Sequence, residues 1–412
     1  DDTRRYVVPS APGKRFPKDT KVTDMLYACY ESAANGEDFS EQLDNIHARY
    51  QEIIDGLNLD FSLDLDFVQI KENFSNKAGA DYAASRGECL NGKIMAAYLG
   101  FEFVDAAEVV RFNDDGSFND EVTNTLLSER LQDCKTAVIP GFYGAKKDGT
   151  IVTFSRGGSD ITGSLVALAV QADLYENWTD VSGFLIADPR IVKNPKSIET
   201  ITYKELRELS YMGASVLHED AIFPVRKAGI PINIRNTNAP QDKGTLIVEG
   251  TCRQPKYTIT GIAGTDGFVA ITVEKAMMNS EVGFCRKVLQ VFEDNGVSIE
   301  HMPSGIDTMS IFVNKDVFEE KEQKILADIH KAVNPDHIEL ESNLALIAVV
   351  GRGMKSTRGT AGRIFSALAL FRSNVKMIDQ GSSELNIIIG VRHDDFKNAI
   401  RALYEIFVLT QI

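Results

Sequence analysis

The sequence of 412 residues has few of the features that mark secreted, metal-binding or membrane proteins. Its cysteines are odd in number, widely spaced and without a C-x-x-C pair: Cys29, Cys89, Cys134, Cys252 and Cys285. This pattern predicts free thiols in a reducing compartment rather than a disulfide framework or a zinc site. The six histidines show no metal-ligand spacing either. With no long apolar run and no visible signal peptide, we expect a cytoplasmic protein.

Positive charge is also scarce, with 44 Lys and Arg against 59 Asp and Glu, a net charge of −15. The cations are scattered and form no basic patch. This distribution argues against nucleic acid or an anionic membrane surface as the main partner. Hydrophobic residues at 43% are ordinary for a globular protein, and the length predicts two or three domains.

Two glycine-containing segments come close to nucleotide-binding motifs without completing them. "GECLNGKI" (Gly87 to Ile94) has the Gly and Lys spacing of a P-loop, but Ile94 replaces the Ser or Thr that binds Mg²⁺. "GRGMKS" (Gly351 to Ser356) follows a strand, but Ser356 replaces the third glycine of a dinucleotide fingerprint. We predict that both segments are ordinary passages from a loop into a helix.

Strand-like and helical runs alternate from Arg4 to about Gly250. "RRYVV", "TAVIPGFYG", "TIVTFS" and "IPINIRN" have strand patterns, while Thr23 to about Leu57, "GSLVALAVQA" and "YKELRELSYMGASVLHEDAIFPVRKAG" have helical ones. Such alternation predicts an α/β domain of three αβα layers, with helices on both faces of a sheet.

After Gly250 the sequence holds two copies of a β-α-β-β-α pattern. "FVAITVEK" and "LALIAVVGRG" begin the copies, and "VSIEHMPS" and "VKMIDQGS" are their second strands, with Val297 and Val375 at matching places 375 − 297 = 78 residues apart. This spacing predicts two small ferredoxin-like units in tandem.

The segment "SRGGSDITGSLVALAV" places a cation, two glycines and an acid where a strand passes into a helix. Gly157 and Gly158 would let backbone N–H groups approach an anion at the helix N-terminus. Arg156 offers a planar fork for a carboxylate or phosphate. An exposed ion pair for Arg156 and a simple helix cap for Asp160 are the alternatives.

Five blocks in order resemble the aspartate kinases of the amino-acid kinase family: "VVPSAPGKRFPKDTKVTDML", "SRGECLNGKIMAAYLG", "SRGGSDITG", "WTDVSGFLIADPR" and "MGASVLHEDAIFPVRKAGIPINIRNT". The C-terminal repeats resemble the paired ACT domains that follow this catalytic domain. The resemblance covers nearly the whole chain. It implies a catalytic domain at 1–250 and ACT domains at 258–335 and 340–412.

The resemblance also implies a role for each matching residue. Arg156 would hold the α-carboxylate of L-aspartate and Glu88 its α-ammonium, with Ser10, Thr23 and Ser159 in the same pocket. Gly157 and Gly158 would face the reaction centre, and Asp160 would organise the cationic groups there. ATP, carrying Mg²⁺, would meet Thr179, Asp180, Leu185, Asp188 and Arg190. The chain would phosphorylate the β-carboxylate of aspartate, the first step of lysine, threonine and methionine synthesis.

Two departures from the family pattern leave rival interpretations open. The Lys-Phe-Gly-Gly block that opens the family is absent here, where Asp1 and Asp2 lead straight into the strand-like "RRYVV". Ser215 stands where several relatives carry a nucleotide-binding Lys. A kinase-like domain that only senses an amino acid is one alternative, and a kinase of glutamate or another small acid is a second. We interpret His218 as structural.

The resemblance to ACT domains implies an amino-acid effector between a loop and a strand of the first repeat. The predicted walls are Met278, Asn279, Ser280 and Glu281 on one side and Ser298, Ile299 and Glu300 on the other. Two acids there favour lysine, with threonine as the alternative. The cationic loop "GRGMKSTRG" of the second repeat favours pairing between subunits, so we expect a homodimer or a tetramer through these domains.

Overall fold

The computed structural model describes residues 3–155, 157–214, 217, 219–251 and 257–410. The helices in these residues are α1 (Val22–Ala34), α2 (Ser40–Gly56), α3 (Asp64–Ser75), α4 (Ala80–Leu99), α5 (Ala106–Val109), α6 (Asp120–Gln132), α7 (Gly158–Ala169), α8 (Tyr203–Tyr211), α9 (Phe223–Ala228), α10 (Phe284–Asp294), α11 (Lys315–Glu319), α12 (Glu322–Val333), α13 (Thr360–Leu370) and α14 (His393–Tyr404). The strands are β1 (Tyr6–Val7), β2 (Glu102–Phe103), β3 (Ala137–Val138), β4 (Tyr143–Ala145), β5 (Ile151–Thr153), β6 (Tyr175–Thr179), β7 (Thr200–Thr202), β8 (Ile232–Asn236), β9 (Thr245–Val248), β10 (Gly261–Glu274), β11 (Thr308–Asn314), β12 (His337–Val350), β13 (Val375–Asp379) and β14 (Asn386–Arg392).

The chain forms two compact units, which divide it differently from the predicted domains. The first unit holds Asp1–Asn177 with Leu217–Asn233, and the second holds Trp178–Val216 with Ile234–Ile412. Both combine helices with sheets, so the predicted α/β class is confirmed. The domain boundaries themselves remain predictions.

In the first unit, a short parallel sheet in the order β1-β3-β2 carries a helical layer built from α1 to α4. Apolar side chains on these helices are fully buried, among them Leu26, Ile46 and Phe74. Each such side chain stabilises the fold by about 1.5–3 kcal/mol. The buried Tyr50 hydroxyl donates a 2.7 Å hydrogen bond to the Gly87 carbonyl, so α2 and α4 are joined inside this core.

Two sequence predictions in the first 230 residues are wrong in detail. The P-loop-like segment from Gly87 to Ile94 lies within α4 instead of leading into a helix. The long helix predicted from Tyr203 is interrupted, because Gly213 adopts a φ of +94° after α8. A short 3₁₀ turn (Glu219–Ile222) then precedes α9.

In the second unit, the C-terminal repeats form one five-stranded sheet in the order β11-β10-β12-β14-β13. The long strands β10 and β12 run antiparallel through two register shifts between Asp266 and Ala270. The part of β10 before the shifts pairs only with the end of β12, and the part after them pairs with both β11 and the start of β12. The two repeats therefore share their long strands.

Both repeats otherwise follow the predicted order of strands and helices. Helices α10 and α13 each begin after a left-handed glycine, Gly283 and Gly359, both with a φ of +82°. The predicted strand "VSIEHMPS" is reduced to two isolated bridges, His301 with Phe312 and Ser304 with Met309. Pro303 lies between them and has no N–H to donate, which explains the broken ladder.

Candidate active site

The site in the first unit begins where two parallel strands end. The N–H of Ile139 donates to the Val7 carbonyl at 2.9 Å, and the N–H of Gly141 donates to the Pro9 carbonyl at 3.1 Å. Because parallel strands end at the same edge of a sheet, these bonds hold the loops after β1 and β3 side by side. The predicted substrate residue Ser10 therefore lies in a loop next to Gly141.

The first turn of α7 packs directly on that edge. A Cβ atom on Gly141 would lie 2.7 Å from the Cα, Cβ and Oγ atoms of Ser159, so only glycine fits there. A Cβ atom on Gly158 would likewise lie 2.6 Å from the Phe142 ring. These close approaches bring Ser159 to the same strand ends as Ser10.

The predicted loop from Arg156 to Asp160 is shorter than expected. Helix α7 begins at Gly158, and its N-cap is Gly157 in the left-handed region with a φ of +57°. Asp160 is therefore inside the first turn and is not the cap. Its Oδ1 atom accepts a 2.8 Å hydrogen bond from the Asn177 amide. Arg156 lies outside the described residues.

Helix α4 brings Glu88 to the same place. A Cβ atom on Gly87 would lie 2.8 Å from the Ala11 Cβ atom and 3.7 Å from the Thr23 hydroxyl oxygen. Glycine at position 87 thus lets α4 approach both the loop after β1 and the first turn of α1. Ala11, which follows Ser10, and Thr23 therefore both lie against α4 at the turn that carries Glu88. A substrate pocket shared by Ser10, Thr23 and Glu88 remains a prediction.

Glu88 carries an unusual charge state for a carboxyl group. Its side chain is 6% exposed, and its Oε2 atom is buried and accepts no hydrogen bond from any residue that the structure describes. Burial raises its pKa to about 7, against the opposing effects of the backbone N–H groups of Ala11 and Glu88 and the nearby Arg86 guanidinium. A cation that binds next to such a carboxyl would stabilise its ionised form.

One residue near Glu88 is absent from the sequence predictions. Tyr27 follows Thr23 by four residues and so shares its face of α1. Burial, and then the charges of Asp81, Glu88 and Asp24, raise the pKa of its phenol. The i, i+4 spacing from Thr23 was the signal that could have found it.

The predicted nucleotide residues all lie in the second unit, and two of them lie at the end of β6. Thr179 is the last residue of β6, and its carbonyl accepts hydrogen bonds from the N–H and the hydroxyl of Thr237 at 2.8 and 2.9 Å. Asp180 is exposed, and its carboxylate accepts a 3.3 Å hydrogen bond from the Thr179 hydroxyl. These side chains stand at the end of a strand, where ligands of α/β sheets commonly bind.

Two further residues that are predicted to bind the nucleotide form an ion pair with each other. The Arg190 guanidinium lies 2.7 Å from Asp188, and this contact lowers the pKa of the carboxyl. Leu185 is half-buried and forms an isolated antiparallel bridge with Ser197. Arg190 is 86% exposed, so a phosphate could take the place of Asp188 at its outer edge.

The acid in the first wall of the predicted effector site, Glu281, is already paired with two lysines. Glu281 accepts hydrogen bonds from Lys275 and Lys287, each at 2.7 Å, and these two contacts lower its pKa to about 2. Met278 is buried in the core of the repeat, while Asn279 and Ser280 are exposed. The charge of Glu281 is therefore not free to hold a ligand ammonium.

The second wall lies at the other end of the sheet within this chain. The N–H of Asn279 donates to the carbonyl of Ile306, just before the first residue of β11, Thr308. The N–H of Glu300 donates to the carbonyl of Phe312, which lies four residues further along β11 than Thr308. Four residues of strand span about 13 Å. Ser298 and Ile299 precede Glu300, so the structure does not bring the two predicted walls together within one chain.

No metal or membrane feature is evident in the parts of the chain described above. Those residues include no group of three or more His, Cys, Asp and Glu side chains that could hold a metal ion. Their helices also lack the combination of length and apolar composition needed to cross a bilayer.

Comparison with known proteins relates both units to characterised enzymes. The amino acid kinase family matches residues 10–236, and an ACT domain matches residues 347–407. Aspartokinase 3 of Bacillus subtilis is 40% identical over 423 residues, which cover 99% of this chain and 93% of that protein.

Solved structures lead to the same family. The aspartate kinase of Clostridium acetobutylicum, described as an allosteric enzyme, is 53% identical with a TM-score of 0.88, over 99% of this chain and 93% of that one. Escherichia coli aspartokinase III in complex with lysine and aspartate, in its T-state, is 25% identical with a TM-score of 0.70, over 99% and 94%. The chain therefore belongs to the amino acid kinase family and, within it, to the aspartate kinases.

Proposed function

We propose that this aspartate kinase transfers the γ-phosphoryl group of ATP to the β-carboxylate of L-aspartate in the pocket around Glu88, as the first step of lysine, threonine and methionine synthesis. The observation that carries the proposal is the buried Oε2 atom of Glu88, which accepts no hydrogen bond from the residues described. An α-ammonium group would supply the missing donor and compensate the buried charge.

The other pocket residues would hold the rest of the amino acid. Arg156 would bind the α-carboxylate with its planar fork, and Ser10, Thr23 and Ser159 would line the pocket. The β-carboxylate is already ionised at neutral pH and needs no general base. The protein's task is then to orient the attacking oxygen in line with the γ-phosphorus and to stabilise charge on the transferred oxygens.

Helix α7 suits that second task. Its first turn packs against Gly141, beside the loop that holds Ser10, and the positive end of a helix favours an anion. Gly157 and Gly158 would face the reaction centre without side chains, and Asp160 would organise the cationic groups. ATP would contact Thr179, Asp180, Leu185, Asp188 and Arg190 and would bring Mg²⁺ with it as part of the substrate.

Replacing Arg156 with Lys tests the substrate pocket. Loss of a bidentate, charge-assisted pair costs about 1.5–3 kcal/mol, which corresponds to a rise of about 10- to 150-fold in the KM for aspartate. The KM for ATP should change little. A coupled assay with either substrate varied measures both constants, and Arg130→Lys, at an exposed ion pair with Glu102, is the matched control. An unchanged aspartate KM and kcat in Arg156→Lys would contradict the assignment.

A kinase-like sensor that binds without catalysis is the second candidate. In that case the wild-type chain would bind aspartate in calorimetry but would release no ADP in the coupled assay. The same assay with glutamate tests the remaining alternative, a kinase of another small acid. A cytoplasmic location and a homodimer or tetramer through the ACT domains also remain part of the proposal.

Regulation by lysine is the finer part of the proposal, with threonine as the alternative effector. Glu293 and Glu300 line an open groove of ≈ 450 Å³ in the first repeat, together with Ser298 and Asn314. Two carboxylates there suit a ligand that carries two ammonium groups. The Tyr211 hydroxyl donates to Glu300, and this hydrogen bond, with burial, raises the pKa of Tyr211 to about 12.

Calorimetry with lysine, threonine and methionine tests this effector. We expect lysine to bind and its affinity to fall about tenfold or more in Glu300→Ala, because a charged hydrogen bond is lost. Glu319→Ala, which removes an exposed acid paired with Lys315, should leave the affinity unchanged. Threonine binding without lysine binding, or lysine binding indifferent to Glu300→Ala, would be evidence against the lysine assignment.

A further inference from the structure

A buried cation on α2 holds two points of the loop that joins β1 to α1. Arg49 is 4% exposed, and its Nη1 atom donates a 2.7 Å hydrogen bond to the Thr20 carbonyl. Its Nη2 atom donates to the Gly13 carbonyl. A buried guanidinium is tolerated only when it is hydrogen-bonded and its charge is compensated, so these contacts fix the loop to α2.

Asp19 compensates the charge from within the same loop. Its Oδ2 atom lies 3.1 Å from Arg49 Nη2 and also accepts hydrogen bonds from the N–H and Nε of Arg15 at 2.9 and 3.1 Å. The hydrogen bonds from the Arg15 side chain and backbone hold the pKa of Asp19 well below its usual range. Arg49 thus has one ionised partner and two backbone carbonyls.

The two carbonyls that Arg49 holds lie between the residues predicted to bind aspartate. Gly13 follows Ser10 by three residues, and Thr20 precedes Thr23 by three. Ala11, next to Ser10, donates its N–H to the carboxyl of Glu88 and lowers its pKa. One side chain therefore sets how far the Ser10 segment lies from the first turn of α1.

We propose that Arg49 is a positioning residue for the amino-acid substrate, which keeps the loop after β1 and the start of α1 at the spacing that the Glu88 pocket requires. This inference rests on the proposed pocket. Arg49 reaches its three acceptors from two nitrogens of one rigid plane. A lysine ammonium could reach one of them from the same helix but not all three.

Arg49→Lys separates positioning from general stability. We expect the KM for aspartate to rise about tenfold. The KM for ATP and kcat should stay within about twofold of the wild type, and the melting temperature within a few degrees, about 5 °C or less. Arg15→Ala is the matched control, because Arg15 binds the same Asp19 but is 50% exposed and holds no carbonyl. It should leave both KM values unchanged.

A second variant keeps the test decisive if Arg49→Lys does not fold. Asp19→Asn removes the charge but leaves both carbonyl contacts, so we expect a smaller rise in the aspartate KM, of about threefold, with the ATP KM unchanged. Equal rises in both KM values, or an unchanged aspartate KM in a folded Arg49→Lys protein, would overturn the inference. A normal aspartate KM in Glu88→Gln would instead refute the proposed pocket itself, which distinguishes the two failures.

Discussion

Replacing Glu88 with Gln should remove most of the activity toward aspartate and at the same time stabilise the folded protein above pH 7. Glutamine keeps the shape of the side chain but cannot compensate an ammonium charge. Loss of one charge-assisted hydrogen bond costs about 1.5–3 kcal/mol, so kcat/KM for aspartate should fall about 10- to 150-fold. The KM for ATP should be nearly unchanged.

The gain in stability follows from the raised pKa of Glu88. The carboxyl titrates at about 7 in the folded chain and at 4.5 when unfolded, a difference of 7 − 4.5 = 2.5 units. The folded state therefore keeps its proton to a higher pH than the unfolded state does, so the wild type loses stability as the pH rises from about 4.5 to 7. The full loss is about 3 kcal/mol and persists above pH 7. Because glutamine does not titrate, the Glu88→Gln protein does not undergo this loss of stability.

Thermal unfolding at pH 5 and pH 8 checks this prediction. Glu88→Gln should exceed the wild type in melting temperature at pH 8 and by much less at pH 5, and Glu72→Gln, an exposed acid on α3, should match the wild type at both. The phenols of Tyr27 and Tyr50 feel the charge of Glu88, but burial raises the pKa of both above 10, so they do not titrate in this range. The same gain at pH 5 and pH 8 would exclude the titration of Glu88 as its cause.

The same group predicts the pH dependence of the reaction. Below pH 7 Glu88 in the free enzyme is protonated and has no charge for the substrate ammonium. We therefore expect kcat/KM for aspartate to rise with pH up to about 7, and this rise should vanish in Glu88→Gln. The Arg86 guanidinium next to it stays charged throughout.

The alternation of strands and helices was sufficient to predict the α/β class and the C-terminal repeats, because hydrophobic periodicity reports burial directly. It was less reliable for the ends of elements and for pairing between distant strands. Gly213 was a local signal for the end of α8, but the helical pattern on both sides of it favoured one long helix; in the structure it has a φ of +94° and packs beside Thr265. The sharing of β10 and β12 between repeats depends on pairing across more than 60 residues, which no local pattern encodes.

The pocket could be predicted only in part, for a similar reason. Ser10, Thr23 and Glu88 were assigned by resemblance, and their closeness depends on parallel strand ends and on the space left by Gly87. Arg49 was missed because it acts on backbone carbonyls, which leave no trace in the sequence. The role of Glu281 could not be judged, since its two lysine partners are defined only by the folded loop.

Helix α8 is joined to the C-terminal repeats by a fully buried carboxylate. Glu205 forms a capping box with Thr202 and accepts hydrogen bonds from the Thr260 hydroxyl at 2.5 Å and from the Arg352 backbone and guanidinium, each at 2.9 Å. Burial alone would raise the pKa of Glu205, but the hydrogen bonds from Thr260, Arg352 and Thr202 outweigh it and hold the pKa below its usual value.

Arg352→Met should therefore destabilise the second unit by about 3 kcal/mol at pH 8, since it leaves a buried carboxylate without its cation. This is the lower end of the usual range, because the Arg352 side chain is 19% exposed. The loss should shrink as the pH falls, because burial without the cation raises the pKa of Glu205 and the uncompensated carboxyl then takes up a proton that the wild type does not bind until a lower pH. Arg358→Met, which changes an exposed arginine of the same loop, is the control and should cost little.

The double variant Glu205→Gln with Arg352→Met decides whether charge is the cause. With both charges gone, no buried ion is left uncompensated, so urea denaturation should show most of the lost stability restored. A double variant as unstable as Arg352→Met would instead mean that the arginine acts by packing alone. In that case α8 would be held by its apolar contacts with β10 and β12, and the buried ion pair would set only the direction in which the loop after β12 leaves the sheet.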